Sequence, residues 1–279
     1  MIQTCTELAA LRALVAQWKR EGLRVALVPT MGNLHDGHHA LVQVARQYAD
    51  RVVVSIFVNP TQFGPNEDFS RYPRTPDADI AGLEAVGCDA VWLPSVETMY
   101  PLGVERTTRM QAPGVSEVLE GASRPGHFDG VCTVVARLFL QVQPDVAVFG
   151  RKDFQQLAVI RQMVDELSFP VQIVGAEIVR EPSGLARSSR NQYLDAQQRE
   201  VAATIHRTLL GMREGYVAGH SRERIEAAAA AALQQAGFQV DYAVLRTPDL
   251  LEPPHEGGAR VALIAARLGS TRLIDNLEF

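Results

Sequence analysis

No stretch of this chain approaches the 18 uninterrupted apolar residues that a membrane-spanning helix needs. The first residues carry Glu7 and a helical pattern where a secretory leader would show a basic start and an apolar core, so neither export nor membrane insertion is expected. Cysteine is scarce. Cys5, Cys88 and Cys132 are odd in number and stand at unrelated spacings, which excludes a disulfide framework and points to a reducing cytoplasm. There is no C-x-x-C and no H-E-x-x-H, so the common zinc patterns are missing. A basic excess is missing too: the formal net charge is −5, and no general surface draws the chain to nucleic acid or anionic lipid. Internal repeats, low-complexity tracts and coiled-coil heptads are absent. The remainder is an ordinary globular composition, 47% hydrophobic and 21% charged, and its 279 residues suit two domains better than one.

The most informative stretch is Val28 to Leu41, VPTMGNLHDGHHAL. An apolar run ends at Pro29, passes a short loop containing Gly32, and reaches a periodic helix after Asp36 and Gly37. A helix that opens there is expected to turn unpaired backbone N–H groups and the positive end of its dipole toward the loop, which suits an anion such as a phosphate. His35 and His38 stand at that end, where their imidazoles, as cations or as neutral donors, can meet phosphate oxygens that gain charge when a phosphoanhydride breaks. Ordinary polar surface and half of a metal site are the other readings of the same pair.

Read in order, the chain suggests alternating strands and helices. Thr4 and Glu7 have capping-box spacing ahead of an amphipathic helix through Trp18, so a helix is expected to open the chain. A strand at 24–28, a helix to about Ala49 and the β-branched run RVVVSIFV at 51–58 make one βαβ unit, its second strand buried on both faces of a parallel sheet. Asn59 to Pro65 is rich in breakers and reads as loop; at the carboxyl end of its strand it puts Asn59 and Gln62 beside the same crevice as the histidines. Arg71, Tyr72 and Arg74 follow, then a helix from Pro76 to about Val86 and a strand at 89–93. Thr107 to Gln111 reads as a short strand. A Gly and Pro loop with Arg124 and His127 leads to a helix at 131–142 and a strand at 144–149. The turn Gly150, Arg151, Lys152, Asp153 enters a helix at 154–167 and sets an ammonium at a second strand-to-helix junction. After a strand at 171–174, the segment EPSGLARSSRN offers Ser188, Ser189 and Arg190 as donors to phosphate, on a stretch that can close over a nucleotide. From there the order changes to helices at 196–210 and 222–236 followed by strands at 240–245, 260–266 and 271–277, so a small α+β domain is expected to start near Val179.

The H-x-G-H of His35, Asp36, Gly37 and His38 resembles the signature of the nucleotidylyltransferase-like superfamily. With FVNPTQFGPNEDFSRYPRT, GRKDFQQL, the 184–194 stretch and LGSTRLIDN, nearly the whole chain resembles the pantothenate synthetase family. That resemblance implies an α/β, Rossmann-like parallel sheet over residues 1–178 that binds nucleotide and pantoate, and a smaller α+β lid over 179–279. It implies a homodimer, ATP and Mg2+, and ligation of (R)-pantoate to β-alanine through a pantoyl adenylate. Carried over by motif, Met31, Gly32, Asn33, Leu34, His35, Asp36, Gly37 and His38 line the ATP site, with His38 as the acid and His35 beside it on the phosphates. Gly150, Arg151, Lys152 and Asp153 bind adenosine and phosphate, and Val179 meets adenine. Ser188, Ser189 and Arg190 close on the triphosphate, with Arg187 beside them. Gln62 and Gln156 hold pantoate, and Gln62 with Asn59, Tyr72 and Pro29 shapes the acyl and amine site. His38, His35, Lys152 and Arg190 form the catalytic set. Three positions depart from the family: Arg151 stands for a usual Glu, Arg187 for an apolar residue, and Ala78 for one of two acids near magnesium, leaving Asp77 and Asp79. Asp79 is then the candidate metal neighbour, and magnesium is otherwise held by phosphate oxygens and water. A nucleotidylyltransferase shares H-x-G-H but calls for a phosphorylated acceptor site in place of the N-P-x-Q-F loop, and a non-catalytic nucleotide binder predicts ATP binding without pyrophosphate release.

Overall fold

The computed structural model describes residues 2–64, 69–250 and 258–279. The chain divides into two compact units, Met1–Arg151 with Gln155–Ala176, and Lys152–Phe154 with Glu177–Phe279.

The first unit runs β1 (Gln3–Cys5), α1 (Leu8–Arg20), β2 (Val25–Thr30), α2 (Asp36–Ala45), β3 (Arg51–Ile56), α3 (Pro76–Ala85), β4 (Ala90–Trp92), α4 (Val96–Met99), α5 (Glu120–Ser123), α6 (His127–Val142), β5 (Val146–Gly150), α7 (Phe154–Glu166) and β6 (Gln172–Ala176). Its strands form one parallel sheet in the order β1-β4-β3-β2-β5-β6. The apolar runs explain the layers. Val25 to Val28 are all fully buried: Ala26 and Val28 pack with Leu41 and Val42 of α2 and Leu83 of α3, while α1 and α6 cover the opposite face of β2. Each large side chain buried this way contributes about 1.5–3 kcal/mol. β2 continues through Pro29, which is tolerated because β2 pairs with β5 only at Ala26 and Leu27. The strand order reverses between β2 and β5, and the crevice at such a reversal is where open α/β sheets bind ligands.

Several local expectations are corrected. The chain opens with a strand: Gln3–Cys5 pairs with Ala90–Trp92, and Glu7 caps α1 without a side-chain hydrogen bond, so tertiary pairing overrides the Thr4/Glu7 spacing. Thr107 to Gln111 is not a strand. The Met110 N–H donates to Thr133 Oγ1 at 2.9 Å and Arg137 donates to the Thr107 hydroxyl, so side chains of α6 satisfy this segment in place of a neighbouring strand. The breaker-rich stretch after β3 holds one 3-10 turn, Pro60–Gln62, capped by the Asn59 side chain; its expected end at Pro65 lies outside the described residues. α6 begins four residues early, at His127.

The second unit contains α8 (Ala196–Ala202), α9 (Thr204–Val217), α10 (Arg222–Gln235), β7 (Gln239–Arg246), β8 (Val261–Leu268) and β9 (Thr271–Glu278). The strands are antiparallel in the order β7-β8-β9. Ile205, Leu209 and Met212 of α9 and Ile225 and Leu233 of α10 form a core with Leu245, Ile264 and Leu273 of the sheet. The helix expected at 196–210 is two helices, and the second runs on through Gly211 to Val217. A single interior glycine costs a helix only about 1 kcal/mol, less than the packing of Leu209 and Met212 on either side of it supplies.

Candidate active site

The loop after β2 is held from within. His35 caps α2: its Nδ1 accepts from the Gly37 N–H at 3.0 Å, and His38 Nδ1 accepts from the His35 N–H at 3.3 Å, a reciprocal cap made by two imidazoles. The rings lie 4.2 Å apart, centroid to centroid. Both Nδ1 atoms accept here, so a proton that either ring donates sits on Nε2. Three further amides of the loop are taken as well. Gly32 N–H meets Thr30 Oγ1 at 3.3 Å, and Asn33 and Leu34 donate to the two oxygens of Asp79 at 3.0 and 2.8 Å. Of the amides expected to be free here, those of Gly32, Asn33, Leu34, His35 and Gly37 are therefore engaged, because Thr30, Asp79, His38 and His35 fold back on them. What the loop offers an anion is imidazole N–H. No cluster of three or more His, Cys, Asp or Glu side chains suited to a metal occurs among the described residues.

The turn after β3 lies alongside. Asn59 is 1% exposed and its side chain is fully used: Oδ1 accepts from Thr61 N–H at 3.2 Å, Thr61 Oγ1 at 2.9 Å and Tyr100 Oη at 2.5 Å, and Nδ2 donates to Gly130 O at 3.1 Å and Gln62 Oε1 at 3.0 Å. With three donors on its oxygen, the Asn59 amide has one orientation, and it imposes one on Gln62. Gln62 Oε1 faces Asn59, and Gln62 Nε2 points to Met31 Sδ at 3.1 Å. Asn59, expected at the substrate, is thus buried, and its amide orients the Gln62 side chain. The Gln62 carbonyl receives His127 Nδ1 at 2.8 Å, while Arg124 Nη1 lies 3.0 Å from His127 Nε2. A carbonyl only accepts and a guanidinium only donates, so these two contacts fix the orientation of the His127 ring. Tyr72 is half-buried and packs edge-on against Phe63, ring centroids 5.9 Å apart. Pro29 is half-buried at the end of β2.

The two glutamines that open α7 differ. Gln155 is buried and tied to the segment that leads into α5 through Val115 O, Val118 O and Glu120 N–H, at 2.8, 2.7 and 3.0 Å. Gln156 is half-buried. Gly150 closes β5, 4.0 Å from Leu41 of α2 when a Cβ is built on it. Arg151 Nε donates to Gly175 O at 3.3 Å, and its backbone N–H donates to Ala176 O at 2.9 Å.

In the second unit, Lys152, Ser188, Arg190, His206, Arg272 and Asp275 line one pocket. The Asn276 side chain holds Lys152 O at 2.9 Å, and Lys152 Nζ lies 3.4 Å from Asp153. Arg180 grips Asp275 with two nitrogens at 2.5 and 3.0 Å, and pairs as an isolated bridge with Ala186. That bridge makes 180–186 a hairpin, and Arg187 N–H closes it on Val179 O at 2.8 Å. Ser188 then caps a 3-10 turn from Ser189 to Tyr193 by accepting the Arg190 N–H at 3.3 Å. His206 is held below its ordinary pKa, first by burial and then by the positive charge of Arg180.

Residues that sequence reasoning left without a role enter here. Tyr100 gave no signal. His127 was visible as a histidine in a Gly and Pro loop. Gly130 interrupts an otherwise apolar helical run, a mark of close backbone approach: a Cβ there would lie 2.4 Å from Thr61 O.

Comparison with known proteins bears on this geometry. The family described as Pantoate-beta-alanine ligase matches residues 3–278. A pantothenate synthetase of Stenotrophomonas maltophilia strain K279a is 84% identical over 279 residues, covering 100% of both chains. The crystal structure of pantothenate synthetase from Thermus thermophilus superposes with a TM-score of 0.92 at 47% identity, covering 99% of each chain. A pantoate-beta-alanine ligase from Francisella tularensis, solved in complex with beta-gamma ATP and beta-alanine, superposes at 0.82 with 30% identity over 99% of this chain and 97% of its own.

Proposed function

We infer the division of labour among these residues from one premise, that the chain belongs to the pantoate-beta-alanine ligase family. It joins pantoate to β-alanine. We propose that ATP drives the ligation in two steps. In the first, a carboxylate oxygen of (R)-pantoate attacks the α-phosphorus of ATP; the new P–O bond forms as the bond to the β-phosphate oxygen breaks, and pyrophosphate leaves. In the second, the β-alanine amine attacks the acyl carbon of the pantoyl adenylate; the C–N bond forms, AMP leaves with the oxygen, and the amine gives up its proton. No protein nucleophile is needed. The task is alignment of a carboxylate with phosphorus and stabilisation of charge on the leaving phosphates.

The observation that carries this reading is the Gln62 amide, fixed by Asn59 and lying 3.1 Å from Met31 of the histidine loop. Such an amide presents N–H to pantoate oxygens beside a loop whose imidazoles present N–H to phosphate. On this reading Met31 to His38 receive ATP, with His38 and His35 on the phosphates. Gln62 and Gln156 hold pantoate, with Tyr72 and Pro29 beside the acyl group. Gly150 to Asp153 and Val179 take adenosine. Lys152, Arg187, Ser188, Ser189 and Arg190 take the triphosphate, with residues 179–279 acting as the lid. The described donors do not make a magnesium cage, since no cluster of three or more metal-binding side chains occurs among them and both Asp79 oxygens receive amide N–H. The ion is then carried in with ATP on phosphate oxygens and water. A homodimer in the cytoplasm completes the proposal, supported by the family resemblance, by buried free cysteines and by the lack of any helix long and apolar enough to cross a membrane among the described residues.

Pantoate labelled with 18O in its carboxylate tests the two-step route. Attack on phosphorus carries one label into AMP; AMP without label would mean that the carboxylate never bonds to phosphorus.

A further inference from the structure

We propose that Asp79 is a positioning residue for the nucleotide: its carboxylate is the template on which the Gly32–Leu34 turn of the histidine loop is folded. This rests on the reading of Met31 to His38 as the ATP loop. Of the two acids that open α3, Asp77 is exposed and Asp79 is 3% exposed. Asp79 Oδ2 accepts from Asn33 N–H at 3.0 Å, and Oδ1 accepts from Leu34 N–H at 2.8 Å and Thr75 Oγ1 at 3.1 Å. A buried carboxylate without a paired cation is costly unless such donors satisfy it.

The turn it holds is one that the backbone does not favour unaided. Gly32 has φ +83° and Asn33 φ +51°, consecutive residues in the left-handed region. A Cβ on Gly32 would lie 3.1 Å from Asp79 Oδ2 and 3.0 Å from Ile56 Cγ2, so the carboxylate packs directly against this backbone. Two successive N–H groups converging on one carboxylate offset the left-handed conformation and set the direction in which Met31 precedes the turn and His35 follows it. The same carboxylate keeps those two amides away from phosphate, leaving the imidazoles to bind it.

Asp79→Asn keeps the size and removes the charge, turning an amide N–H toward a backbone N–H. We expect the KM for ATP to rise about tenfold or more, the loss of a charge-assisted pair of hydrogen bonds. KM values for pantoate and β-alanine stay within about twofold. In hydrogen exchange, Asn33 and Leu34 lose protection while Val52 to Val54 of β3 keep theirs, which a general loss of stability would not reproduce. Thr75→Val, which removes a donor and leaves the carboxylate, gives the same pattern at smaller size and serves if the Asn variant does not fold. Full protection of Asn33 and Leu34 in Asp79→Asn overturns the proposal, as does lost protection with an unchanged KM for ATP. A shifted magnesium requirement with intact protection overturns it too, and assigns the carboxylate to the metal. If ATP added to the wild-type enzyme leaves the amide resonances of Met31 to His38 unmoved, it is the ATP-loop reading that fails, whatever Asp79 does.

Discussion

Gly130→Ala adds one methyl group at the place where α6 meets the Pro60–Gln62 turn proposed to hold pantoate. Its Cβ would lie 2.4 Å from Thr61 O, 2.6 Å from Thr61 C and 2.7 Å from Gln62 N, against an ordinary contact of 3.4 Å or more. Both partners are backbone, so no side-chain rotation relieves the clash. The 3-10 turn must retreat by about 1 Å, and it carries Gln62 with it. The hydrogen bond from Asn59 Nδ2 to Gly130 O, 3.1 Å long, is strained by the same movement. Overpacking of this kind costs about 1–3 kcal/mol of stability. Alanine in a helix interior returns about 1 kcal/mol, so the net loss of stability is small. The loss of function is not small. A 1 Å misplacement of a positioning group costs about a hundredfold in rate, or about 2.7 kcal/mol at the transition state. We therefore expect kcat/KM for pantoate to fall about a hundredfold while the KM for ATP changes by less than about threefold. Initial rates with pantoate varied at saturating ATP read the loss of function, and urea unfolding reads the loss of stability. A variant with wild-type kcat/KM for pantoate would refute the claim that this turn places the substrate.

Other expectations follow from the same contacts. Tyr100→Phe removes one of three donors to Asn59 Oδ1; the KM for pantoate should rise a few-fold with a stability loss of about 1 kcal/mol, and no further rise should occur when Gln62 is already alanine. A full additive effect in the Gln62→Ala background would show that Tyr100 acts elsewhere. Burial pushes the thiols of Cys88 and Cys132 up to about 12 and raises that of Cys5, so a disulfide reagent should find no fast thiol in the folded protein and all three after unfolding. One equivalent reacting at the rate of free cysteine would contradict this burial. For His206 the folded pKa lies below its ordinary 6.5, so the unfolded chain binds the proton more tightly. Its contribution to stability is full above that value and is lost as pH falls through the lowered one. Melting temperature should drop as the pH falls below 6.5, and His206→Gln should flatten the slope; a mutant curve as steep as wild type assigns the slope to other groups.

What the sequence made legible was decided by runs and spacing. Val25 to Val28 and Arg51 to Val58 announce buried parallel strands because both faces are apolar, and His35 with His38 locate the helix start because their spacing is local. The opening segment misled for the complementary reason. Thr4 and Glu7 look like a cap, yet Ala90 to Trp92, far along the chain, claim Gln3 to Cys5 as an edge strand. Asn59 was legible as a residue of the turn but not in its contacts, because its burial under Gln62 depends on Tyr100 and Gly130, neither of which lies near it in the chain. The loop amides were read as free because the residues that occupy them are a distant carboxylate and two histidine rings folded back on their own helix. Side-chain direction of that kind has no periodicity to read.

The central claim is that pantoate alone suffices to release pyrophosphate from ATP. Purified protein with MgATP and (R)-pantoate should release about one equivalent of pyrophosphate per site and stop, and addition of β-alanine should convert this into steady turnover that yields AMP. Pyrophosphate that appears only when both substrates are present, with no first-turnover burst from pantoate alone, would contradict a free-standing adenylation step.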